Sequence, residues 1–461
     1  MAQNQDQAPT LPSSGVRDTG IDVIVVGAGF GGIACAIECK RKGHRVMVFE
    51  KVHELKTLEL TKYQVLSLGE NAGRILARWG LHDRYKAQHD RLWNICAHAR
   101  ELHVHDYLGG LIHVQKLPQP LFRAFSYNDH RPLLHNVLFE HAKSLGIEIR
   151  MGHEVVEYWE DEANGKAGVK LQTGARFDAD VIVAADGVKS LARKFVIGYH
   201  DNPKPSGYAI YRAWFDAEKH GITTDPLTDF LSSRGDVLYG WIGRDVHFVT
   251  SSSRGGKLIS WVITHKDNAA VDGHWSSPGK IEDVLDIVKD WDPRCAAVIS
   301  KAPSCIDWKI LVHDPLPTWV SKSGRVLLIG DAAHPFLPTS MQGASQAIED
   351  GVTLAVTLNL AGKDNVPLGT RAWESMRYQR VRDAQLMGET TRDKWHGAKA
   401  GDSGKSFELP MPEWLLAFDA EAHAYAAYSG IAQSIVQDGY HQPSLSGGQF
   451  TEHVKETTPA Q

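Results

Sequence analysis

The stretch Ile21–Gly32, which reads Ile-Asp-Val-Ile-Val-Val-Gly-Ala-Gly-Phe-Gly-Gly, constrains this chain more than any other. An apolar run, Val23–Val26, meets a cluster of glycines, and a helical pattern follows from Ile33 to Lys42. The reading is strand, tight turn, helix. Gly27, Gly29 and Gly32 keep the G-x-G-x-x-G spacing of a dinucleotide fingerprint. Gly27 is expected to make the turn, Gly29 to let a pyrophosphate approach the backbone, and Gly32 to let helix and strand pack closely. The helix start then offers free N–H groups and a positive dipole end to the phosphates. A second strand, Arg45–Phe49, ends at Glu50. That acid stands about 20 residues downstream, where such folds place the carboxylate that grips the adenosine ribose. The pattern predicts an α/β fold with a Rossmann-like domain holding an ADP-containing cofactor.

Composition narrows the rest. The 461 residues are 43% hydrophobic and 23% charged, enough for a large core in two or three domains. A net charge of −5 with no basic run gives no footprint for nucleic acid. The polar lead-in Met1–Gly20 lacks the apolar core of a secretory signal, and no window is apolar for 18 residues, so neither secretion nor a membrane span is expected. The longest apolar run, Val352–Leu360, reads as a buried helix. The five cysteines, Cys35, Cys39, Cys96, Cys295 and Cys305, form no CxxC pair and no zinc spacing, which suits a reducing, cytoplasmic setting. Cys35 and Cys39 share one helix face and read as core. His103 and His105 share a strand face, with no third ligand placed beside them, so no metal is expected.

Along the chain, Glu70–Gly80 reads as an amphipathic helix closed by glycine. Alternation around 95–104 and 111–114 predicts strands that cross to another layer. Asp129 is expected to cap a helix over 130–145 that Gly146 ends. Strands are predicted at 147–150, 154–159, 169–172 and 177–185, with Asn164-Gly165 as a hairpin turn. Short alternating runs at 208–215, 236–241, 246–250 and 257–264 predict an antiparallel sheet. Helices are expected at 281–289, 293–300, 343–360, 370–391 and 413–428, with a buried strand at 325–329.

Two further stretches point to a flavin. Val181–Ala185 is an apolar strand ending in Asp186-Gly187, and Leu327–Ile329 is one ending in Gly330-Asp331. Each puts an acid at the carboxyl end of a strand, where open α/β sheets bind ligands. A carboxylate there can accept hydrogen bonds from ribityl or ribose hydroxyls. Gln342-Gly343-Ala344 then opens a helix whose N-terminal N–H groups can face an electron-rich flavin edge.

Taken together, these residues resemble the single-component FAD-dependent aromatic hydroxylases, the family of para-hydroxybenzoate and salicylate hydroxylases. The likeness runs from about Ile21 to Leu360 and is most specific over Gly330–Gly351. It implies that Gly27, Gly29, Gly32 and Glu50 hold the ADP half of FAD. It implies a role in FAD and nicotinamide binding for Asp186 and Gly187, puts Asp331 after Gly330 on the ribityl chain, and gives a cofactor contact to Arg131. It further implies a Rossmann-like FAD-binding domain with an inserted antiparallel substrate sheet and C-terminal helices. The expected boundaries are a disordered lead-in at 1–20, the FAD-binding domain at 21–205 and 317–365, the substrate sheet at 206–316, helices at 366–442 and a mobile tail at 443–461. The sequence departs from many relatives in the bulky run Tyr63–Gly69, and at Thr250–Ser253, where Ser251 stands in place of a substrate-orienting tyrosine.

The implied chemistry is a monooxygenation. NADH or NADPH reduces FAD, O2 adds to give a flavin C4a-hydroperoxide, and one oxygen atom passes to a small aromatic, phenolic or heteroaromatic substrate. Arg212, on the strand Ala209–Phe215, matches an arginine that anchors phenolate or carboxylate substrates in some relatives; an arginine beside a phenol favours its anion. Tyr211 and Tyr239 are possible ring or hydroxyl contacts, with Tyr211 and Arg212 on opposite faces by alternation. Trp241 and Trp261 read as core or pocket wall, and His334 as packing over the cofactor. The alternatives are an epoxidase or ring-rearranging monooxygenase acting on an indole or alkene of secondary metabolism, and a flavin-binding protein without catalysis.

Overall fold

The strand Asp22–Val26 lies at the centre of a five-stranded parallel sheet, which explains its unbroken apolar run: both faces are covered. The order is Val326–Leu328, Val181–Ala184, Asp22–Val26, Arg45–Glu50, Glu148–Met151. The computed structural model describes residues 17–55, 65–81, 96–267 and 276–443. The helix Phe30–Arg41 carries the chain from the first strand to the second, and Cys35 and Cys39 are buried on it. It packs backbone to backbone on the helix Gly343–Ala361. A Cβ on Gly351 would stand 2.5 Å from the Cys35 nitrogen, so only glycine permits that approach.

A second sheet has eight strands, in the order Ser276–Gly279, Cys305–Val312, Lys204–Asp216, Leu258–Lys266, Val246–Ser253, Leu238–Gly243, Glu101–Asp106, Leu111–Lys116. All neighbours are antiparallel except Leu238–Gly243 and Glu101–Asp106. The last two strands come from the earlier half of the chain and extend the sheet beyond the 206–316 segment. Its outer face buries Trp241, Trp261 and Phe248 against the helices Ile281–Ile287 and Pro293–Ser300. The helix Val366–His396 runs from the parallel sheet to this one, where Trp395 packs on Leu102, Val104 and Ile242.

Several local expectations change. The run 177–185 is two strands in different sheets, Arg176–Ala179 and Val181–Ala184, with the buried Asp180 between them. Asp180 accepts from the Asp22 N–H and pairs with Lys166, a polar requirement that breaks the run. Asp129 is not a helix cap: it lies in the strand Tyr127–His130, and His130 caps the helix Arg131–Ser144 because Pro132 needs no N–H partner in the first turn. The 413–428 helix is two helices, Glu413–Leu416 and Ala420–Asp438, divided where Asp419 accepts from the Ala422 N–H and pairs with Arg78. Residues 17–20 are not a loose lead-in: Thr19 donates from backbone and hydroxyl to Gly43 O, and Lys363 holds the Gly20 carbonyl. Residues 1–16, 56–64 and 444–461 of the lead-in, the bulky run and the tail lie outside the described residues.

Candidate active site

The carboxyl ends of the parallel strands meet at one cleft. The Gly27 N–H donates to Phe49 O, Ala185 N–H to Val26 O and Ile329 N–H to Ala184 O, so the three motif loops leave adjacent strands side by side. Gly27 sits at φ +100° with Ala185 O 2.4 Å from where a Cβ would be; a Cβ on Gly32 would lie 2.0 Å from Gly27 O. Both glycines therefore serve packing. Gly29 differs: a Cβ there would meet nothing within 4 Å. It opens the helix Phe30–Arg41 with no side-chain cap and no acid in the first turn, leaving the N–H groups free for an anion. Glu50 is clamped to the same turn, accepting from Ala28 N–H at 2.7 Å and Val52 N–H at 3.0 Å.

Gly330 and Asp331 follow the strand Val326–Leu328. The Asp331 carboxylate opens onto the cleft yet stands deep in the protein; burial raises its pKa, opposed by His334, Arg131 and Arg193. Arg131, at the start of its helix, lies beside the cleft with its guanidinium 5.8 Å from the Phe30 ring centre, and burial lowers its pKa against the pull of Asp331. Gln342, Gly343 and Ala344 form the opposite wall at the uncapped start of the helix Gly343–Ala361. Gln342 is held by Asn71 Nδ2 at 3.1 Å.

The two halves of the Asp-Gly motif separate. Gly187 lines the cavity, whereas the Asp186 carboxylate serves the fold, accepting from the Tyr158 hydroxyl at 3.2 Å and the Leu191 N–H at 3.1 Å. His334 turns away from the cleft and meets Asp350 at 2.6 Å. Asp350 also accepts from Gly330 N–H and from Arg377, and Glu349 pairs with Arg377, Arg380 and Asn71. Burial works to raise Asp350, but His334 and Arg377 prevail and hold it down to about 2. Sequence reading missed this buried network. Its one signal was Arg377 and Arg380, one helical turn apart and opposite Glu349-Asp350.

The cofactor cleft and the space beyond it are one continuous cavity of about 680 Å³, and the inner face of the eight-stranded sheet floors its far end. Strand register arranges its side chains in rows: Trp214 beside Ser260 and Ser251, then Arg212 beside Val262 and Val249, then Thr264 beside His247. Arg212 faces the cavity with its guanidinium 4.0 Å from the Trp308 ring centre, and its Nε and Nη2 are buried without a hydrogen-bond partner. Burial, with Arg131 adding to it, lowers Arg212 to about 9. Ser251 meets Ser260 at 2.7 Å across the floor.

Tyr239 is a correction. Its neighbour Leu238 lines the cavity, so alternation sends Tyr239 to the outer face, stacked between His103 at 4.8 Å and Trp241 at 6.0 Å in the second core. Tyr211 goes the same way and stacks on His265. Among the described residues, no group of three or more His, Cys, Asp or Glu is placed to hold a metal ion, and no helix is long and apolar enough to cross a membrane.

The sequence pattern of an FAD binding domain matches residues 20–208 and 302–380. The asperlicin C monooxygenase of Petromyces alliaceus is 36% identical over 436 residues, covering 92% of each chain. The chain belongs to the FAD-dependent monooxygenases. The FAD-dependent monooxygenase nodY2 of Hypoxylon pulicicidum is 33% identical over 93% of this chain and 95% of its own. The crystal structure of CtdE in complex with FAD and a substrate aligns with a TM-score of 0.81 at 33% identity, covering 90% of this chain and 100% of that one. A salicylate hydroxylase–substrate complex shares the fold, with a TM-score of 0.72 at 23% identity over 92% of this chain and 99% of that one. This monooxygenase is thus a flavoprotein of secondary metabolism with an FAD-binding, salicylate-hydroxylase-like α/β fold.

Its residues fit FAD. The unobstructed backbone at Gly29 suits a pyrophosphate, Asp331 has carboxylate oxygens free for ribityl hydroxyls, and the uncapped start of Gly343–Ala361 faces the cleft.

Proposed function

We propose that this flavoprotein consumes NAD(P)H and O2 and inserts one oxygen atom into an aromatic ring held by Arg212. The observation that carries this reading is the Arg212 guanidinium, buried against Trp308 and without a hydrogen-bond partner, on the cavity floor next to Arg131. A buried donor left unmade costs about 1–3 kcal/mol, which a substrate oxygen returns when it binds. The guanidinium has donors only, so the group it takes is a phenolate, carboxylate or carbonyl oxygen. Bound FAD supplies the redox chemistry, taking electrons from the nicotinamide and activating O2. The chain supplies the rest. Gly29, Glu50, Asp331 and the two uncapped helix starts hold the cofactor; Arg212 and Trp214 orient the ring; and the apolar lining of Leu102, Leu238, Trp395, Leu409 and Met411 keeps water from the reacting atoms.

A second reading keeps the reaction class and changes the substrate: an indole or alkene that is epoxidised or rearranged. The apolar lining favours it, with Leu102, Val249, Trp395, Leu409 and Met411 around a single cationic floor residue. A panel of phenols, indoles and polyenes, scored for substrate-stimulated NAD(P)H oxidation and for product, separates the two. Stimulation by phenols and phenolic acids supports the first reading, and stimulation only by non-phenols supports the second. A purified protein without flavin colour defeats both.

A further inference from the structure

After the helical turn Lys405–Phe407, the chain runs Glu408-Leu409-Pro410-Met411-Pro412, outside helix and strand, to the short helix Glu413–Leu416. Leu409, Pro410 and Met411 of this strap line the cavity. Leu409 shares an apolar cluster with Leu102 and Trp395, and with Leu238 and Val249 of the sheet floor. Val249 stands in the same floor row as Arg212, so Leu409 belongs to the Arg212 end of the cavity.

Proline stiffens the strap. Pro410 and Pro412 have no N–H to place, and each biases the residue before it, Leu409 or Met411, to extended backbone. Glu408 and Pro412, its two ends, are extended as well. Leu409 and Met411 are two apart, which puts them on one side of such a backbone.

Side chains hold the strap in place. Gln115 lies buried on the strand Leu111–Lys116, at the edge of the eight-stranded sheet. Its Nε2 donates to the Leu409 carbonyl at 2.8 Å, and its Oε1 accepts from the Leu409 N–H at 2.8 Å. One side-chain amide thus takes both polar groups of one residue, as a neighbouring strand would. Two positions along the strand, His113 meets Glu408 at 2.6 Å, and Trp395 Nε1 donates to the Phe407 carbonyl at 3.0 Å. The other apolar walls, Leu102, Val249 and Trp395, stand on sheet strands or on a long helix, held by ladders of backbone hydrogen bonds. The strap is the wall that a single side chain can move.

We propose that the strap Glu408–Pro412 is the substrate-selecting wall of the cavity, and that Gln115 is the positioning residue that sets it. The inference rests on the monooxygenase reading for its ligand, a ring system held at Arg212, and adds that Leu409 and Met411 fix the size of that ring system. Gln115 does not line the cavity and acts through Leu409. Without its amide, the Leu409 N–H and carbonyl turn to water and the strap leaves the floor. The widened cavity then admits larger ring systems and grips small ones less. An apolar pocket discriminates a single methylene by roughly 10–200-fold, so a displaced Leu or Met side chain is enough to change the order of preference.

Two measurements on the FAD-loaded full chain test this. Gln115→Met keeps the length of the side chain and removes both hydrogen bonds. Hydrogen exchange of the Leu409 amide, read by mass spectrometry of overlapping peptides, should accelerate at least ~10-fold with FAD content kept. Met411→Ala keeps the latch and widens the wall, so its Leu409 amide should exchange as in the wild type. Binding is then read from the perturbation of the visible flavin band by phenol and 2-naphthol, and by indole and carbazole, without NAD(P)H or turnover. Both variants should shift preference toward the larger member of a pair by about 10-fold. A Leu409 amide that is unprotected in the wild type, or unchanged in Gln115→Met, overturns the latch. A size order unmoved in Met411→Ala, or no response to any of the four compounds, overturns the wall, and that arm stands even if Gln115→Met fails to fold. A size order that shifts while the substrate panel yields no product keeps the wall and defeats the monooxygenase reading; product with an unmoved size order does the reverse.

Discussion

The cofactor end and the substrate end of the cleft are built on opposite principles. At the cofactor end almost every polar side chain is already engaged by protein: Glu50 by the Ala28 and Val52 amides, Asp186 by Tyr158 and Leu191, and Asp350 by Gly330, His334 and Arg377. What is offered to the ligand is mostly backbone, in a Gly29 approach and two uncapped helix starts, with the Asp331 carboxylate as the open side chain. At the substrate end a side chain itself is left open, with the Arg212 Nε and Nη2 buried and unpaired. The cofactor is bound by a shape that the fold must make anyway. On the proposed reading, the substrate is bound by a guanidinium whose unmade hydrogen bonds cost the fold until it arrives.

Six substitutions break or sharpen that contrast. The largest effect is expected from Arg377→Met, which leaves Asp350 and part of the Glu349 charge uncompensated in the core; a loss of about 3–5 kcal/mol should show in urea unfolding. Next come two glycines. Gly32→Ala drives a Cβ into Gly27 O and should cost about 3 kcal/mol together with flavin content. Gly29→Ala meets no protein atom, so its Tm should hold while FAD affinity falls, and equal losses in both variants would erase the distinction between packing and ligand glycines.

A smaller effect is expected from pH. His247 and His396 are depressed in the folded state to about 3 and about 4 from an ordinary value of 6.5. Below 6.5 the unfolded chain therefore binds more protons than the native one. The stability from these rings is whole above 6.5 and drains as pH falls toward 4, by on the order of 1–2 kcal/mol per ring between pH 7 and 5. His247→Phe should flatten that slope in urea midpoints taken at the two pH values.

Arg212→Ala should leave FAD content and Tm unchanged or slightly improved, since it removes a buried unpaired charge. Substrate Kd should weaken by about 10–100-fold, the worth of a charged hydrogen bond. Tyr239→Phe marks the bottom of the scale. Its ring stacks in the core on the far side of the sheet, so kcat/KM should stay within about twofold and stability within about 0.5 kcal/mol.

The legibility of the molecule follows the same divide. Glycine spacing, strand ends and the acid at Glu50 were readable because they depend on local geometry within a few residues of each other. The inner and outer faces of the substrate sheet were only half readable. Alternation correctly set Tyr211 against Arg212, but it could not say which face of Leu238–Gly243 met the cavity, and Tyr239 falls on the outside. Asp129 looked like a helix cap because it precedes an amphipathic run, yet pairing with Val65–Leu68 holds it in a strand.

What the sequence determined by itself was the Rossmann-like FAD frame, since its glycines and terminal acid act through backbone shape that neighbouring residues dictate. The tertiary structure alone decided that Glu349 and Asp350 are locked to Arg377, about 30 residues away, and that His247 and His396 touch across 149. Contacts at such separations depend on how whole sheets and helices pack, and no local pattern in the chain records that packing.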